Sequence, residues 1–266
     1  MKRPERIFKF QAFDQYSLRN LKNAQIYFNS PVDFNDPFDC AITNESAFHS
    51  KRDLLEFWNS VVEEGKFPGQ SKYENFHNIP PKIVKLMEGQ FQSVAAQFHE
   101  KNLNNIGCCC FAERNDHILM WSHYGKGHRG FCLEFDTNFP PFRDNLFKVN
   151  YSTDYPKWKM VSMAANIDVG FKVEDINHLL HKYITWKYEK EWRVFHAETK
   201  KLFGYDVRAL KAVYFGLSAS ITDIEIVCLI LLGQNPDVKF YRASRHERPY
   251  RLKFDEFTYT PHKDSP

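Results

Sequence analysis

The segment Trp186-Lys187-Tyr188-Glu189-Lys190-Glu191-Trp192-Arg193 constrains the fold more than any other stretch of the chain. Read as extended backbone, it puts Glu189, Glu191 and Arg193 on one face and Tyr188, Trp192 and Val194 on the other, because strand side chains alternate with period two. Such a strand is ionisable on one side and apolar on the other, so it belongs in a sheet with a packed face. Three readings of the ionisable side are open. It is a solvated strand surface, an ion-pair network neutralised by Arg193, or a pair of carboxylates held on a rigid floor for chemistry. At a rise near 3.3 Å per residue the two glutamates would stand roughly 6 to 7 Å apart, which suits all three.

The surrounding patterns predict alternating strands and helices without a strict βαβ rhythm. Ile7 to Phe10 reads as a strand, Leu18 and Leu21 as a helical turn, and Ala24 to Phe28 as a second strand. Ser50 with Asp53 three residues on starts a helix along Leu54, Phe57, Trp58 and Val61 that Gly65 stops, and Pro80-Pro81 opens a longer one through Ile83, Met87, Phe91 and Val94. The compact apolar run Cys108 to Phe111, the alternation of Phe131, Leu133 and Phe135 with Cys132, Glu134 and Asp136, and Phe147 to Tyr151 all read as strands. Val173, Ile176, Leu180 and Tyr183 have helical spacing. Ala212 to Phe215 is a strand, Thr222 with Glu225 is a capping box for a helix ended by Gly233, and Val238 to Ala243 is a strand. The expected class is α+β: a single domain over 1–266, mostly antiparallel and with a split sheet as one form, flanking helices, and a helical insertion around 50–105.

Composition narrows the function classes. A net charge of +3, with no terminal basic run longer than Lys2-Arg3 and a basic segment at Arg242 to Arg251 that is expected to decorate an edge strand, offers no electrostatic footprint for nucleic acid. Six cysteines, three of them consecutive at 108 to 110, match neither a disulfide framework nor a zinc ribbon, so reduced thiols, a cytoplasmic location and no bound metal are expected. No signal-peptide core or membrane-length apolar run occurs, so no membrane partner is expected. Phosphate-loop, zincin, nucleophile-elbow and kinase signatures are missing too.

Three constellations carry polar chemistry. In Phe34-Asn35-Asp36-Pro37-Phe38-Asp39, the proline pushes Asp36 out of the helical region and presents a turn between two aromatic anchors. The stretch Met120-Trp121-Ser122-His123-Tyr124-Gly125-Lys126-Gly127-His128 gathers polar and aromatic groups between glycines that permit close approach to a ligand. His123 and His128, five residues apart, are poorly spaced as metal ligands. The third is the Glu189/Glu191 row itself.

Taken in order, Leu21 to Asp39 with its Asn-Asp-Pro turn, Met120 to Asp136 with Met-Trp-Ser-His-Tyr, and Lys182 to Arg193 with Trp-x-Tyr-Glu-x-Glu-x-Arg resemble the bacterial family known as domain of unknown function 2971. That name implies no activity. A looser likeness is to the ADP-ribosyltransferases, whose split sheet places a basic or His residue on an early strand, a Tyr or Ser on a middle element and a Glu, often as Glu-x-Glu, on a later strand. The matching positions are Lys9, Tyr124 and the Glu189/Glu191 pair, with Lys9 standing where that family has Arg or His. This likeness implies an NAD-consuming enzyme, a bacterial toxin or phage-defence effector, with a protein or nucleic acid as acceptor. In it Glu191 would stabilise an oxocarbenium-like transition state, Glu189 would orient the acceptor, and Tyr124 or Trp121 would stack on nicotinamide. Lys9, Asn35, Asp36, Trp121, His123 and Arg193 would line the NAD site. A non-catalytic ligand-sensing or protein-interaction module is the alternative, and a metal-dependent nuclease a third.

Overall fold

The computed structural model describes residues 2–43, 47–48, 50–156, 158–159 and 176–261. In chain order, β1 (Arg6–Gln11), α1 (Gln15–Lys22) and β2 (Gln25–Phe28) are followed by β3 (Ala47–Phe48), α2 (Lys51–Glu63) and α3 (Pro81–Asn105). Next come β4 (Gly107–Ala112), α4 (Ile118–His123), β5 (Phe131–Asp136), β6 (Phe147–Lys148), β7 (Asn150–Ser152), β8 (Trp158–Lys159), β9 (His181–Tyr183) and β10 (Glu191–His196). The chain closes with β11 (Lys201–Gly204), β12 (Leu210–Phe215), α5 (Ile221–Leu232), β13 (Lys239–Arg245) and β14 (Leu252–Phe257). The class is α+β, as the sequence patterns predict.

Eight strands form one sheet in the order β14-β13-β12-β5-β1-β4-β10-β6. Neighbours are antiparallel except β12 and β13, which run parallel because α5 carries the chain across between them. One face packs Ile7, Phe131, Phe135, Val213 and Phe215 against Leu21 of α1 and Ile224, Val227 and Leu231 of α5. Each large apolar side chain buried this way contributes roughly 1.5 to 3 kcal/mol. The helices α2 and α3 bury Leu54, Trp58, Met87 and Phe91 in a cluster of their own. Ser50 caps α2 as its sequence predicts, accepting a hydrogen bond from the Asp53 backbone N–H while the Asp53 side chain accepts from Ser50 N–H.

The sheet nearly parts in its middle. β1 pairs with β5 from Arg6 opposite Asp136 to Gln11 opposite Phe131, and β4 pairs with β10 from Ala112 opposite Glu191 to Gly107 opposite His196. Between β1 and β4 the register holds at Phe8 opposite Ala112 and no further. The strands splay beyond that point, which leaves backbone groups such as the Cys110 carbonyl facing a gap.

Several local expectations need correction. Residues 184–189 form a 3-10 helix, and Lys190 turns the chain with φ 45°, so the strand begins at Glu191 and Glu189 does not lie on it. The Glu191/Arg193 face alternates as expected. Of the helix predicted over Val173 to Tyr183, Val173 lies outside the described residues, and from Asn177 the chain makes a short 3-10 turn into β9. Phe147 to Tyr151 divides into β6, which pairs with β10, and β7, which pairs with β9. Ser220, not Thr222, caps α5, accepting from Asp223 N–H at 3.1 Å. β14, unmarked by a clean alternation, completes the sheet edge beside β13.

Candidate active site

On the face away from α1 and α5, the parting of the sheet opens a cleft of about 260 Å³. Phe8, Phe10 and Phe34 give it apolar walls, while Asn35, Tyr124, Lys182, Glu189 and Glu191 supply its polar groups and Lys9 borders it at the gap between β1 and β4. Directly opposed strand residues share a face, so Phe8, Ala112 and Glu191 form one cross-strand row, with Cys110 and Arg193 in the next.

Beneath the cleft lies a buried ionic cluster of three carboxylates and two cations. Arg193 is fully buried. Its Nε donates to Glu191 Oε1 at 2.7 Å and its Nη2 to both oxygens of Asp39, at 2.7 and 2.9 Å. The remaining guanidinium nitrogen, Nη1, donates to the Leu179 carbonyl at 2.6 Å and contacts Cys40 Sγ at 2.9 Å. The planar donor fork suits this bidentate task, which an ammonium could not perform. Lys182 Nζ donates to Glu189 Oε2 at 2.6 Å and Glu191 Oε2 at 3.2 Å, and lies 3.4 Å from Asp39 Oδ2. The cluster carries one net negative charge, and a buried charge unbalanced in this way favours a cation above it.

Two glutamates that differ in local environment differ in proton affinity. Burial disfavours the Glu191 carboxylate, but Arg193 and Lys182 outweigh it and hold the group down to about 2. Glu189 keeps a raised pKa because burial, with repulsion from Glu191, outweighs Lys182 and the Tyr124 hydrogen bond. Lys182 is raised: burial opposes its charge, and Glu191, Glu189 and Asp39 overcome it. Tyr124 caps the end of α4 and donates to Glu189 Oε1 at 2.7 Å, and the Asn35 side chain hydrogen-bonds the same phenol. Burial and the Glu189 charge push that phenol up. Tyr151 of β7 accepts the Glu191 backbone N–H at 2.8 Å and so fixes the start of β10.

The structure therefore brings Asn35, Tyr124, Glu189 and Glu191 to one cleft, while the Lys9 side chain alternates to the opposite face of the sheet, with Ile7 and Leu133, and meets the cleft only at the gap between β1 and β4. Lys9 reaches the parting, its Nζ 3.4 Å from the Cys110 carbonyl and 5.3 Å from the Phe111 ring centre. Arg193 lies behind Glu191 and Asp39 and positions them without facing the cleft. Asp36 turns aside: its Oδ1 accepts from Phe38 N–H at 2.9 Å, and it lines a neighbouring cavity. Trp121 cannot stack on a ligand, because it is fully buried, donates to the Asn115 carbonyl at 2.6 Å and packs edge-on to Phe10. His123 is exposed and does not line the cleft, its ring 6.4 Å from that of Trp186. Asp39, Lys182 and Tyr151 complete the site unforeseen, although Asp39 closes the Asn-Asp-Pro motif and Lys182 stands seven residues before Glu189. Among the described residues no group of three His, Cys, Asp or Glu side chains could hold a metal ion. Ammonium and guanidinium groups occupy the space between the three carboxylates. Among those residues no helix is long and apolar enough to cross a membrane.

These features define an α+β protein with a parted sheet and a buried ionic cluster at the parting. The model of the family described as "Protein of unknown function (DUF2971)" matches residues 120–194. That stretch carries Tyr124, Lys182, Glu189, Glu191 and Arg193, and over it the match bears out the family resemblance seen in the motifs. No curated protein and no solved structure matches the chain.

Proposed function

We propose that the cleft is the active site of an ADP-ribosyltransferase-like enzyme that takes NAD as substrate and breaks its bond between nicotinamide and ribose. The observation that carries this reading is the meeting of Tyr124, Glu189 and Glu191 at the parting of one sheet, with Lys9 at the gap behind it. The cleft has the size of a nicotinamide ring with its ribose, and its aromatic walls suit a flat ring.

The division of labour follows from the electrostatics. Glu191, ionised throughout the working pH range, supplies the fixed negative charge that favours an oxocarbenium-like ribose as nicotinamide leaves. Glu189, with its raised proton affinity and its Tyr124 contact, orients the acceptor and takes its proton. Lys9, reached through the gap between β1 and β4, is the cation assigned to the diphosphate, and Arg193 fixes the Glu191 carboxylate. Consumption of NAD or modification of an acceptor in this way suits a toxin or phage-defence effector.

Incubation with NAD is expected to release nicotinamide, and Glu191→Gln to abolish the release while thermal melting shows the variant folded. Full turnover by that variant beside an active wild type sinks the assignment. A non-catalytic ligand-binding module is the second reading, favoured by the existing donors on both oxygens of Glu189 and of Glu191. It expects NAD or ADP-ribose to bind without turnover.

A further inference from the structure

We infer that β14 is a docking edge for a second copy of this chain, paired antiparallel about a two-fold axis through Phe254. The pairing stands apart from the NAD reading and does not depend on it. β14 ends the eight-stranded sheet: it pairs with β13 on one side, and no strand among the described residues covers the other. An uncovered edge keeps a row of backbone donors and acceptors ready for another strand. Lys253, Asp255 and Glu256 are exposed along it.

The sequence of the strand selects the occupant. A two-fold axis perpendicular to a sheet leaves every side chain on its own face, and directly opposed residues of an antiparallel pair share a face. The axis must therefore pass through a residue position, not between two. Through Lys253 it opposes two ammonium groups, and through Asp255 or Glu256 two carboxylates. Axes through Leu252 or Phe257 lie at the ends of the strand and leave most of it unpaired. Through Phe254 the axis opposes the two phenyl rings and sets Lys253 against Asp255 of the copy, twice. Opposite charges in such positions stabilise a pair of strands and like charges destabilise it. Within one chain Lys253 and Asp255 meet at 2.5 Å, and in the pair each exchanges that partner for the copy's. Charges on an edge more often repel a second strand than invite one. Here they are opposite in sign, two residues apart and on one face, an order complementary to itself when reversed.

Apolar surface supports the pairing on both faces. Phe254 continues the ring cluster of Trp121 and Tyr214, whose centres are 6.1 and 5.0 Å away. On the other face a groove of about 570 Å³ beside β14 is lined by Ile221 of α5 with Phe257 and Tyr259, and Ile221 is 66% exposed. The axis sets this groove and that of the copy on the same face of one continuous sheet. Such support is needed, because hydrogen bonds exchanged for those to water add little net stability.

Sedimentation of the full chain at up to about 100 μM is expected to show a dimer. Lys253→Asp opposes carboxylates at both ends of the pair and should weaken the dimer at least about tenfold, and Asp255→Lys should do the same with ammonium groups. The double variant Lys253→Asp/Asp255→Lys restores opposite charges and should bring the dissociation constant back to within about threefold of wild type. Both positions are exposed, so these variants are expected to fold. Phe254→Cys reads the register directly. Opposed Cα atoms stand about 4.5 to 5.5 Å apart, within disulfide reach, so mild oxidation should join two chains of this variant where it does not join wild type. Position 255 lies roughly 7 to 8 Å from its counterpart, so Asp255→Cys should not join. A monomer throughout the range, a dimer indifferent to both single charge changes, or no recovery in the double variant overturns the inference. Joining through Asp255→Cys in place of Phe254→Cys overturns it as well.

Discussion

Tyr124 and Glu189, 65 residues apart in the chain, are joined by a 2.7 Å hydrogen bond in which the phenol donates to the carboxylate. It ties the end of α4 to the turn before β10 and so closes one wall of the cleft. A hydrogen bond to a charged group is worth roughly 1.5 to 3 kcal/mol. Tyr124→Phe keeps the ring and removes the donor. It is expected to destabilise the fold by about 1 to 2 kcal/mol in urea unfolding and to slow nicotinamide release about tenfold or more, with the larger effect on kcat. Unchanged turnover would mean that Glu189 needs no orientation.

Arg193 answers to two buried carboxylates at once. Removing it leaves Asp39 and Glu191 without their principal counter-charge, so Arg193→Met should cost about 3 to 5 kcal/mol, read as a lower urea midpoint. Arg193→Lys keeps the charge and loses the bidentate fork, and is expected to fall between wild type and Arg193→Met. A smaller loss for methionine than for lysine would show that the cluster is dispensable to stability.

Strand and helix existence was legible wherever period and caps agreed, as at Phe131 to Asp136 and at Ser50 with Asp53. The row of glutamates is only partly legible, because a period-two pattern cannot reveal that Lys190 adopts a left-handed turn. Glu189 reaches Glu191 through Lys182, not through strand alternation. Asp39 and Lys182 lie inside the quoted motifs, but their place in the site is not legible there for a different reason. Their value lies in pairing with Arg193 and with two glutamates across long loops, and separation in sequence hides such pairs. Trp121 had the right neighbours and the wrong direction, since its motif cannot say which way the ring points.

His99 of α3 and His178 pack with ring centres 5.1 Å apart beside Cys40, and burial lowers their pKa values to about 4 and about 3. An unfolded histidine titrates near 6.5, so the unfolded chain takes up protons first as pH falls. Their contribution to stability is complete above about 6.5 and drains away towards their folded values. Glu191, held at about 2 against roughly 4.3 when unfolded, adds a second loss between those two pH values. Acid unfolding followed by circular dichroism should therefore begin below about pH 6. His99→Phe removes one proton site and should reduce the loss between pH 7 and 4 by about 2 kcal/mol. An unmoved acid midpoint would show that His99 is not titrating with unfolding.

Lys9 stands at the parting of β1 and β4 with a carbonyl and a ring for company, and no ion-pair partner among the described residues. On the NAD reading, the diphosphate would have to reach this cation through the gap between β1 and β4, since the side chain lies on the Ile7 and Leu133 face of the sheet. Lys9→Gln keeps a donor for the Cys110 carbonyl and removes the charge. It is expected to raise KM for NAD and the inhibition constant of ADP-ribose about tenfold, about 1.4 kcal/mol, with a smaller change in kcat. Inhibition by free nicotinamide, which carries no phosphate, should be unaltered. A variant that loses nicotinamide inhibition while keeping its ADP-ribose affinity would move the diphosphate elsewhere and leave Lys9 as a prop for the splayed strands.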